Sequence, residues 1–265
     1  MINEDNEMSD KTGVYIDKLK NGNDNYRASF TYNQKHISLG SYNSMNEANR
    51  AYLYAKELFS NKDISIEDYS TYCPLKFDKY IEVINLRDNK IVFPTPVYLR
   101  KSYFSYFYSP DIELKFDMDD LFYFTSHKIM KRGNHFFVSD FGSQESINER
   151  FGIRAFSVLG KDHIFLNEDL YDYRRHNIEI INPYFGVRQN KQEFYVTIHV
   201  IGDLKVGIFD DITVAAIAYN KAADTLIKNG IKKNFNTNYI MDISPREYAI
   251  IYSEIKMPDN ILTYK

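Results

Sequence analysis

The sequence predicts an α+β fold in which two small modules, each a three-stranded antiparallel sheet with one helix, flank a central region. Three observations predict this arrangement. One pattern occurs twice in the same order, in residues 12–59 and 185–227. Both copies contain short runs that alternate between apolar and polar residues, which is typical of half-buried strands. Both copies end in an alanine-rich segment whose apolar residues recur at spacings of three and four, which indicates a helix.

The two copies share their markers in the same order. Each copy opens with Gly-Val, at Gly13 and at Gly186, and each ends with an Ala-Tyr pair whose tyrosines are Tyr52 and Tyr219. The opening markers lie 173 positions apart and the closing tyrosines 167. The difference of six indicates a shorter loop in the second copy.

Alternation within the central strand of each module separates an apolar face from a polar one. In the run YRASFTY, residues 26–32, the tyrosine, alanine and phenylalanine at 26, 28 and 30 face one way. Because side chains alternate along a strand, the intervening residues face the other way. The opposite face consists of Arg27, Ser29 and Thr31 in the first copy and of Tyr195, Thr197 and His199 in the second.

Helix boundaries are marked by capping residues. Ser44 followed by Glu47 forms a capping-box pattern at the start of the first repeat's helix. In the second repeat, Asp211 is suited to the N-cap and Gly230 to the C-terminal stop. A serine followed by proline at 244–245 predicts a last helix over 245–256, whose apolar stripe we expect to pack on the rest of the protein.

The central region, residues 63–182, is rich in aromatic residues and contains no repeat. Its pattern predicts a mixture of strands and short helices. We expect strands at 77–94 and 111–116, a short strand or turn entering a helix at 116–127, a strand pair at 132–142 and a helix at 143–153.

Composition excludes several classes of protein. Hydrophobic residues make up 44% and charged residues 26%, which are ordinary values for a globular chain. Cys73 is the sole cysteine, so the sequence contains no internal disulfide framework and suits a reducing compartment. The acidic, polar start does not resemble a secretory signal, and no apolar run is long enough to cross a membrane. We expect a flexible segment at 1–11 and a cytoplasmic protein of a bacterial host cell.

The shared pattern resembles the AP2 DNA-binding domain. The first copy carries the motifs Gly-Val-Tyr, Tyr-Arg-Ala-Ser-Phe, Leu-Gly-Ser-Tyr and Glu-Ala-x-x-Ala-Tyr, and the second carries their counterparts in the same order. The resemblance implies that each sheet lies in the major groove of double-stranded DNA. By position, the implied DNA contacts are Tyr15, Arg27, Ser29, Thr31, His36 and Ser38 in the first copy and Arg188, Asn190, Tyr195, Thr197, His199 and Lys205 in the second.

These residue types suit base recognition, because arginine pairs with guanine, asparagine pairs with adenine, and hydroxyl groups reach bases or phosphates. Two features depart from the family pattern. The faces contain few arginines and the chain has no tryptophan. A net charge of −3 also gives no overall attraction to nucleic acid. We therefore expect modest affinity for each module, with both modules needed together.

The end of the central region resembles the HNH homing endonucleases. The residues that carry this resemblance are Asp162-His163-Ile164 and, further along, Asp172-x-Arg174-x-x-Asn177. The resemblance implies that Asp162 binds Mg²⁺ or Mn²⁺, that His163 activates water and that Asn177 orients the histidine. Tyr173 replaces a family asparagine, and the position of the last metal ligand falls on Gly186, inside the second repeat.

The predicted organisation is an AP2-like domain at 12–62, a central HNH-like domain at 63–182, a second AP2-like domain at 183–240, and a C-terminal helix and tail at 241–265. Three functions follow as alternatives. The first is a sequence-specific DNA-binding regulator or DNA-occupying factor of phage or mobile-element origin, derived from a homing endonuclease that no longer cuts and needs no cofactor. The second is an active, metal-dependent HNH endonuclease. The third is an inhibitor that binds a protein partner, such as a host or defence factor. No membrane partner is expected.

Overall fold

The computed structural model describes residues 13–18, 24–155, 157–241 and 243–265. The segment predicted to be flexible, 1–11, lies outside these residues. Contacts group the chain into two compact units: the first contains the residues up to Glu145 together with Asp169–Arg175, and the second contains Ser146–Glu168 and His176–Lys265. The described residues form a mixed α+β structure with several three-stranded antiparallel sheets, which confirms the α+β class, while the AP2-like and HNH-like identity of its parts stays a prediction. The predicted domain boundaries stay predictions.

The first repeat forms a sheet with one helix across it. Its elements are β1 (Val14–Lys18), β2 (Asp24–Tyr32), β3 (Lys35–Tyr42) and α1 (Met45–Ser60). The strands are antiparallel in the order β1-β2-β3, as predicted. The Ser44 hydroxyl accepts a hydrogen bond from the Glu47 amide, so the predicted N-cap is confirmed. The buried face of α1 contains three small residues, Ala48, Ala51 and Ala55, together with Leu58.

After this module the first unit continues with a long buried helix and two further sheets. Its remaining elements are α2 (Phe77–Asn89), β4 (Val97–Leu99), β5 (Tyr103–Ser109), β6 (Ile112–Asp117), α3 (Leu121–Ser126), β7 (Met130–Arg132), β8 (His135–Asp140) and β9 (Ser143–Ser146). The strands at 112–117, the short helix that follows and the strand pair near 132–142 agree with the predictions. The order of the two sheets is β4-β5-β6 and β7-β8-β9.

The strand predicted at 77–94 is wrong, because residues 77–89 form helix α2. This helix contacts both α1 and β4, and it is buried on nearly all sides over residues 80–87. Arg87 donates hydrogen bonds to the carbonyl oxygens of Leu58, Asn61 and Ile64. Burial on every side removes the amphipathic pattern by which a helix is recognised in a sequence.

The second unit begins with α4 (Ile147–Arg150), so the helix predicted at 143–153 is shorter than expected and follows a strand. Two short antiparallel strands come next, β10 (His163–Phe165) and β11 (Ile178–Ile180). They contain or adjoin the residues that resemble an HNH site.

The second repeat forms β12 (Val187–Asn190), β13 (Glu193–His199), β14 (Asp203–Phe209) and α5 (Ile212–Lys228), with the same strand order as the first. Asp211 caps the helix, and Gly230 follows its end with a φ of +95°. Two C-terminal helices, α6 (Pro245–Glu254) and α7 (Asp259–Leu262), contact α5. Tyr248, Ile251 and Ile255 pack against the core of this repeat, which confirms the predicted docking of the tail.

None of the helices that the structure describes has both the length and the apolar composition needed to cross a bilayer.

Candidate nucleic-acid interface

Both repeats contain the same β-bulge. In the first sheet Ala28 lies opposite Gly40 and Ser29 lies opposite Ser38, so that Leu39 is an extra residue on β3. In the second sheet Val196 lies opposite Gly207 and Thr197 lies opposite Lys205, so that Val206 is the extra residue. A bulge bends and twists a strand locally. Its recurrence at the aligned position shows that the two copies share backbone geometry as well as sequence pattern.

The opening glycine of each repeat has the same structural role. Gly13 has a φ of +88° and Gly186 a φ of +69°, both in the left-handed region that favours glycine. A Cβ atom on Gly13 would lie 2.3 Å from the ring of Tyr52, and one on Gly186 would lie 2.3 Å from the ring of Tyr219. The carbonyl oxygen of each glycine also accepts a 2.9 Å hydrogen bond from the central strand. In both repeats the glycine of the Gly-Val marker therefore lies against the ring of the tyrosine in the Ala-Tyr marker.

The pairing register brings a tyrosine and an arginine together on the exposed face of each sheet. Tyr15 lies directly opposite Arg27 in the first sheet, and Arg188 lies directly opposite Tyr195 in the second. Tyr15 and Arg188 occupy the same position in the aligned repeats, as do Arg27 and Tyr195. The two copies thus keep the pair of side chains but exchange the strands that carry them.

The next row of each face repeats this exchange. Asp17 lies opposite Asn25 in the first sheet, and Asn190 lies opposite Glu193 in the second. Each row therefore holds one carboxylate and one amide, again on exchanged strands. Of these four residues only Asn190 was predicted from the sequence. The Tyr15–Arg27 register would have identified Asp17 and Asn25, and the Arg188–Tyr195 register would have identified Glu193, since each lies two residues further along the same face.

Most of the predicted contact residues are exposed where the structure places them. Tyr15 is 60% exposed and the Arg27 side chain 56%. The remaining exposed residues are Thr31, His36, Ser38, Arg188, Asn190, His199 and Lys205, while Tyr195 and Thr197 are half-buried. Ser29 is the correction: it is only 8% exposed, so its hydroxyl is not displayed beside Arg27 as alternation predicts. It lies at the bulge, where the regular two-residue pattern of the sheet is interrupted.

Polar contacts within each face hold its side chains. Thr31 Oγ1 lies 3.0 Å from His36 Nδ1, and the corresponding pair in the second sheet, His199 Nδ1 and Asp203 Oδ1, lies at 2.8 Å. An Arg27 terminal nitrogen lies 3.5 Å from Asp17 Oδ2. These contacts are exposed, so they contribute little to stability and can exchange for contacts with a ligand.

The fixed charges on the two faces are balanced. In the first sheet Arg27 accompanies Asp17, and in the second Arg188 and Lys205 accompany Glu193 and Asp203. Tyr195 donates a 3.3 Å hydrogen bond to the Glu193 carboxylate. Neither face is therefore a basic patch of the kind that binds nucleic acid by charge alone.

Of the HNH-like residues, Asp162 is buried and forms internal hydrogen bonds. It is 4% exposed. Its Oδ2 accepts from the Val158 amide at 2.7 Å, and its Oδ1 accepts from the Asn182 side chain at 2.9 Å. Its carbonyl oxygen accepts from the Ile181 and Asn182 amides. The carboxylate thus connects two neighbouring segments of the second unit, a structural role that leaves neither oxygen free of a protein donor.

His163 and Asn177 are also buried, at 7% and 2% exposure. His163 Nδ1 lies 2.8 Å from the Ser157 hydroxyl, and burial lowers the pKa of the imidazole while the nearby Asp162 charge partly opposes this shift. The Asn177 side-chain oxygen accepts a 2.8 Å hydrogen bond from the Asn167 amide. This hydrogen bond helps to shape the loop after β10, and the expected hydrogen bond from Asn177 to the histidine stays a prediction.

The other HNH-like residues belong to the first unit. Asp172 is fully buried and pairs with Arg174, whose Nε lies 2.8 Å from Asp172 Oδ1. The Arg174 guanidinium also lies 4.6 Å from the centre of the Tyr103 ring. Tyr173 packs on Phe116 and bonds through its amide to the Lys115 carbonyl oxygen. Packing of the Tyr173 ring on Phe116 therefore accounts for a tyrosine at this position.

Within the described ranges, no three His, Cys, Asp or Glu side chains come together as a metal site would require. No protein-family model, curated protein or solved structure matches this chain.

Proposed function

We propose that the protein binds double-stranded DNA through the exposed faces of its two repeated sheets. The observation that supports this proposal is the cross-strand tyrosine–arginine pair at the same row of both faces. A packing role does not require this recurrence, because Tyr15, Arg27 and Arg188 lie on the exposed side of their sheets. Two copies of one cross-strand pair on the outer sheet faces suit a ligand that presents similar features twice, as duplex DNA does.

The chemistry of these rows matches groove recognition. In a major groove Arg27 and Arg188 would each form two hydrogen bonds with a guanine, and the neighbouring tyrosine hydroxyl would reach a phosphate oxygen. In the second row, Asn25 and Asn190 provide amides that pair with adenine. Asp17 beside Arg27 would hold the guanidinium in position until the base replaces the carboxylate. Specificity would thus come from few, well-oriented contacts.

Balanced charge limits the electrostatic part of binding. Affinity for DNA falls with salt in proportion to the number of phosphates neutralised, by roughly 10³–10⁵ between 50 and 200 mM salt for 6–10 contacts. Among the residues that the structure describes, the two faces carry three cations between them, Arg27, Arg188 and Lys205, so we expect a smaller decrease. Both sheets would have to bind one duplex to reach useful affinity.

The same balance favours a protein ligand as the second candidate. Faces that mix carboxylates, guanidinium groups, amides and tyrosines resemble protein-binding surfaces, in which tyrosine and arginine are enriched. On this alternative the protein would inhibit a partner, and bulk DNA would not compete with that partner.

Selection from a random duplex pool, with and without Mg²⁺, tests the proposal. We expect enrichment of a shared sequence with two guanine-containing segments. Arg27→Ala and Arg188→Ala should each weaken binding to the selected duplex by roughly tenfold. Arg50→Ala on α1 and Arg246→Ala on α6 are matched controls, because both arginines are exposed outside the sheet faces.

Each alternative has its own signature in this experiment. Mg²⁺-dependent strand breaks that disappear in His163→Ala would support the nuclease. A pool that returns no shared sequence, with the two sheet variants behaving like the two controls, would contradict DNA recognition by these faces and favour the protein ligand.

A further inference from the structure

The second unit contains a cleft of about 140 Å³ beside the second sheet. One wall comes from the sheet itself and includes Arg188, Thr197 and His199, and Arg154 and Ser157 contribute to another. The first sheet has the same strands and bulge, but the segment that lines this cleft belongs to the second unit alone. The cleft is therefore a feature that distinguishes the second repeat.

A rigid planar platform forms part of the cleft wall. The Arg154 guanidinium lies 4.1 Å from the centre of the Phe185 ring, and its Nε donates a 3.2 Å hydrogen bond to the Pro183 carbonyl oxygen. Phe185 is held in turn by Asn238, which is buried and bonds to both the amide and the carbonyl oxygen of Phe185. Arginine stacked on an aromatic ring presents a flat surface on which a second ring can stack.

The charges around the cleft do not favour an anion. Two guanidinium groups, Arg154 and Arg188, share the lining with three carboxylates, Glu149, Asp162 and Asp203. This mixture suits a neutral ligand that both donates and accepts hydrogen bonds. Thr197 and Asn236 also line the cleft, and their side chains are of the types that both donate and accept hydrogen bonds.

The volume admits one aromatic ring. A protein cavity of roughly 150 Å³ is known to hold a benzene molecule, so a cleft of about 140 Å³ is the size of a single six-membered ring. Among neutral planar groups with donors and acceptors at the edge, a pyrimidine base has this size and a two-ring purine is larger.

We propose that this cleft receives a single unpaired pyrimidine base, stacked on the Arg154 guanidinium. This proposal rests on the proposed function, because the unpaired base would belong to DNA that is bound by the second sheet. An unpaired base is easily swung out of a duplex and read by stacking and edge contacts. A free pyrimidine nucleotide presents the same ring and is the alternative source.

The test compares a duplex that contains one extrahelical thymine with a fully paired duplex of the same sequence, by fluorescence anisotropy. The wild-type protein should bind the bulged duplex roughly tenfold more tightly, the scale of one base stacked on a protein ring. Arg154→Lys retains the charge without the flat surface, and Ala155→Trp fills the cleft at an exposed position. Both variants should abolish the preference and leave binding to the paired duplex unchanged, whereas Arg246→Ala should retain it.

Free nucleosides, which present the ring without the phosphate, separate failure of the cleft from failure of DNA binding. Stabilisation against heat by thymidine, stronger than by guanosine and lost in Ala155→Trp, would support the cleft even if neither duplex bound. Equal stabilisation by both nucleosides would contradict a one-ring site. The inference is overturned if Arg154→Lys retains the preference for the bulged duplex, or if the wild type shows neither that preference nor stabilisation. If the wild type shows neither effect but still binds the paired duplex, only the inference about the cleft fails and the proposed function is retained.

Discussion

The helices of the two repeats pack on their sheets through the same alanine positions, but different parts of the chain cover the two helices. In α1 the buried residues lie on one stripe, Ala48, Ala51, Ala55 and Leu58. In α5 the counterparts of the three alanines are Ala215, Ala218 and Ala222, and further residues around the helix are buried as well. The additional burial comes from the C-terminal helices, which contact α5, whereas α1 contacts α2 instead.

This difference indicates which surface the repeats have in common. Their helices are covered by unrelated parts of the chain, so the helices share only the face turned toward the sheet. The outer faces of both sheets remain exposed and keep the same pairs of side chains. The comparison therefore favours the sheet face as the functional surface. The following substitutions test it.

The largest effect is expected from the opening glycines. Gly186→Ala would place Cβ 2.3 Å from the Thr197 carbonyl oxygen as well as from the Tyr219 ring, and we expect it to lower the free energy of unfolding by about 3 kcal/mol or more. For Gly13→Ala the three nearest atoms all belong to the Tyr52 ring, a side chain that can shift, so we expect about 2 kcal/mol. Urea denaturation measures both. Gly202→Ala, whose Cβ would meet nothing within 4 Å, is the control, and equal losses in all three would contradict this account of the repeat.

A buried carboxyl group in the first unit should give a pH response. Desolvation raises the pKa of Glu82 to about 7, although Lys79 Nζ lies 2.7 Å from it. The folded protein then holds a proton that the unfolded chain releases, so the free energy of unfolding falls as the pH rises from about 4.5 to 7. Glu82→Gln cannot ionise, so its stability relative to the wild type should improve by on the order of 2 kcal/mol across that interval. A constant difference between the two proteins in urea titrations would contradict the burial of this group.

The helix caps should have smaller and similar effects in the two repeats. Ser44 accepts a 3.2 Å hydrogen bond from the Glu47 amide, and Asp211 accepts a 2.9 Å hydrogen bond from the Val214 amide. Each substitution to alanine should cost about 1 kcal/mol, with the larger loss for Asp211→Ala because a charged acceptor also interacts with the helix dipole. Thermal unfolding would measure the two variants side by side, and the reverse order would show that the local environment outweighs the charge.

The smallest effect on stability is expected from His163, and its dependence on pH has the opposite sign to that of Glu82. Because burial lowers the pKa of His163, the unfolded chain takes up a proton that the folded protein resists. Stability should therefore fall as the pH drops below about 6.5, the ordinary pKa of histidine. His163→Asn cannot titrate in this range and should remove that part of the acid response in urea denaturation at pH 5.5 and 8. An unchanged response would mean that folding does not lower the pKa of this imidazole.

The repeats could be predicted from the sequence because their signals are local. Glycine followed by valine, alternation in the strands, a capping serine and regularly spaced alanines each depend on a few neighbouring residues. Helix α2 could not be predicted, because isoleucines and a valine at 81, 83 and 84 favour strands and only tertiary burial decides for a helix.

For the candidate site too, the sequence predicted the local features and missed those that depend on tertiary contacts. Alternation identified the exposed face, but it could not identify the bulge that buries Ser29, since a bulge is set by the pairing partner. The resemblance to HNH sites likewise implied a role for Asp162 in metal binding, whereas its hydrogen bonds to Val158 and Asn182 depend on contacts made after folding. Arg154 was missed because its stacking on Phe185 joins residues 31 positions apart.

Hydroxyl-radical footprinting of the selected duplex tests the central claim most directly. We expect two separate protected segments with the wild-type protein. Arg27→Ala should remove protection from one segment and Arg188→Ala from the other, while Arg50→Ala leaves both intact. A single protected segment, or two that respond identically to both variants, would contradict recognition by two sheet faces.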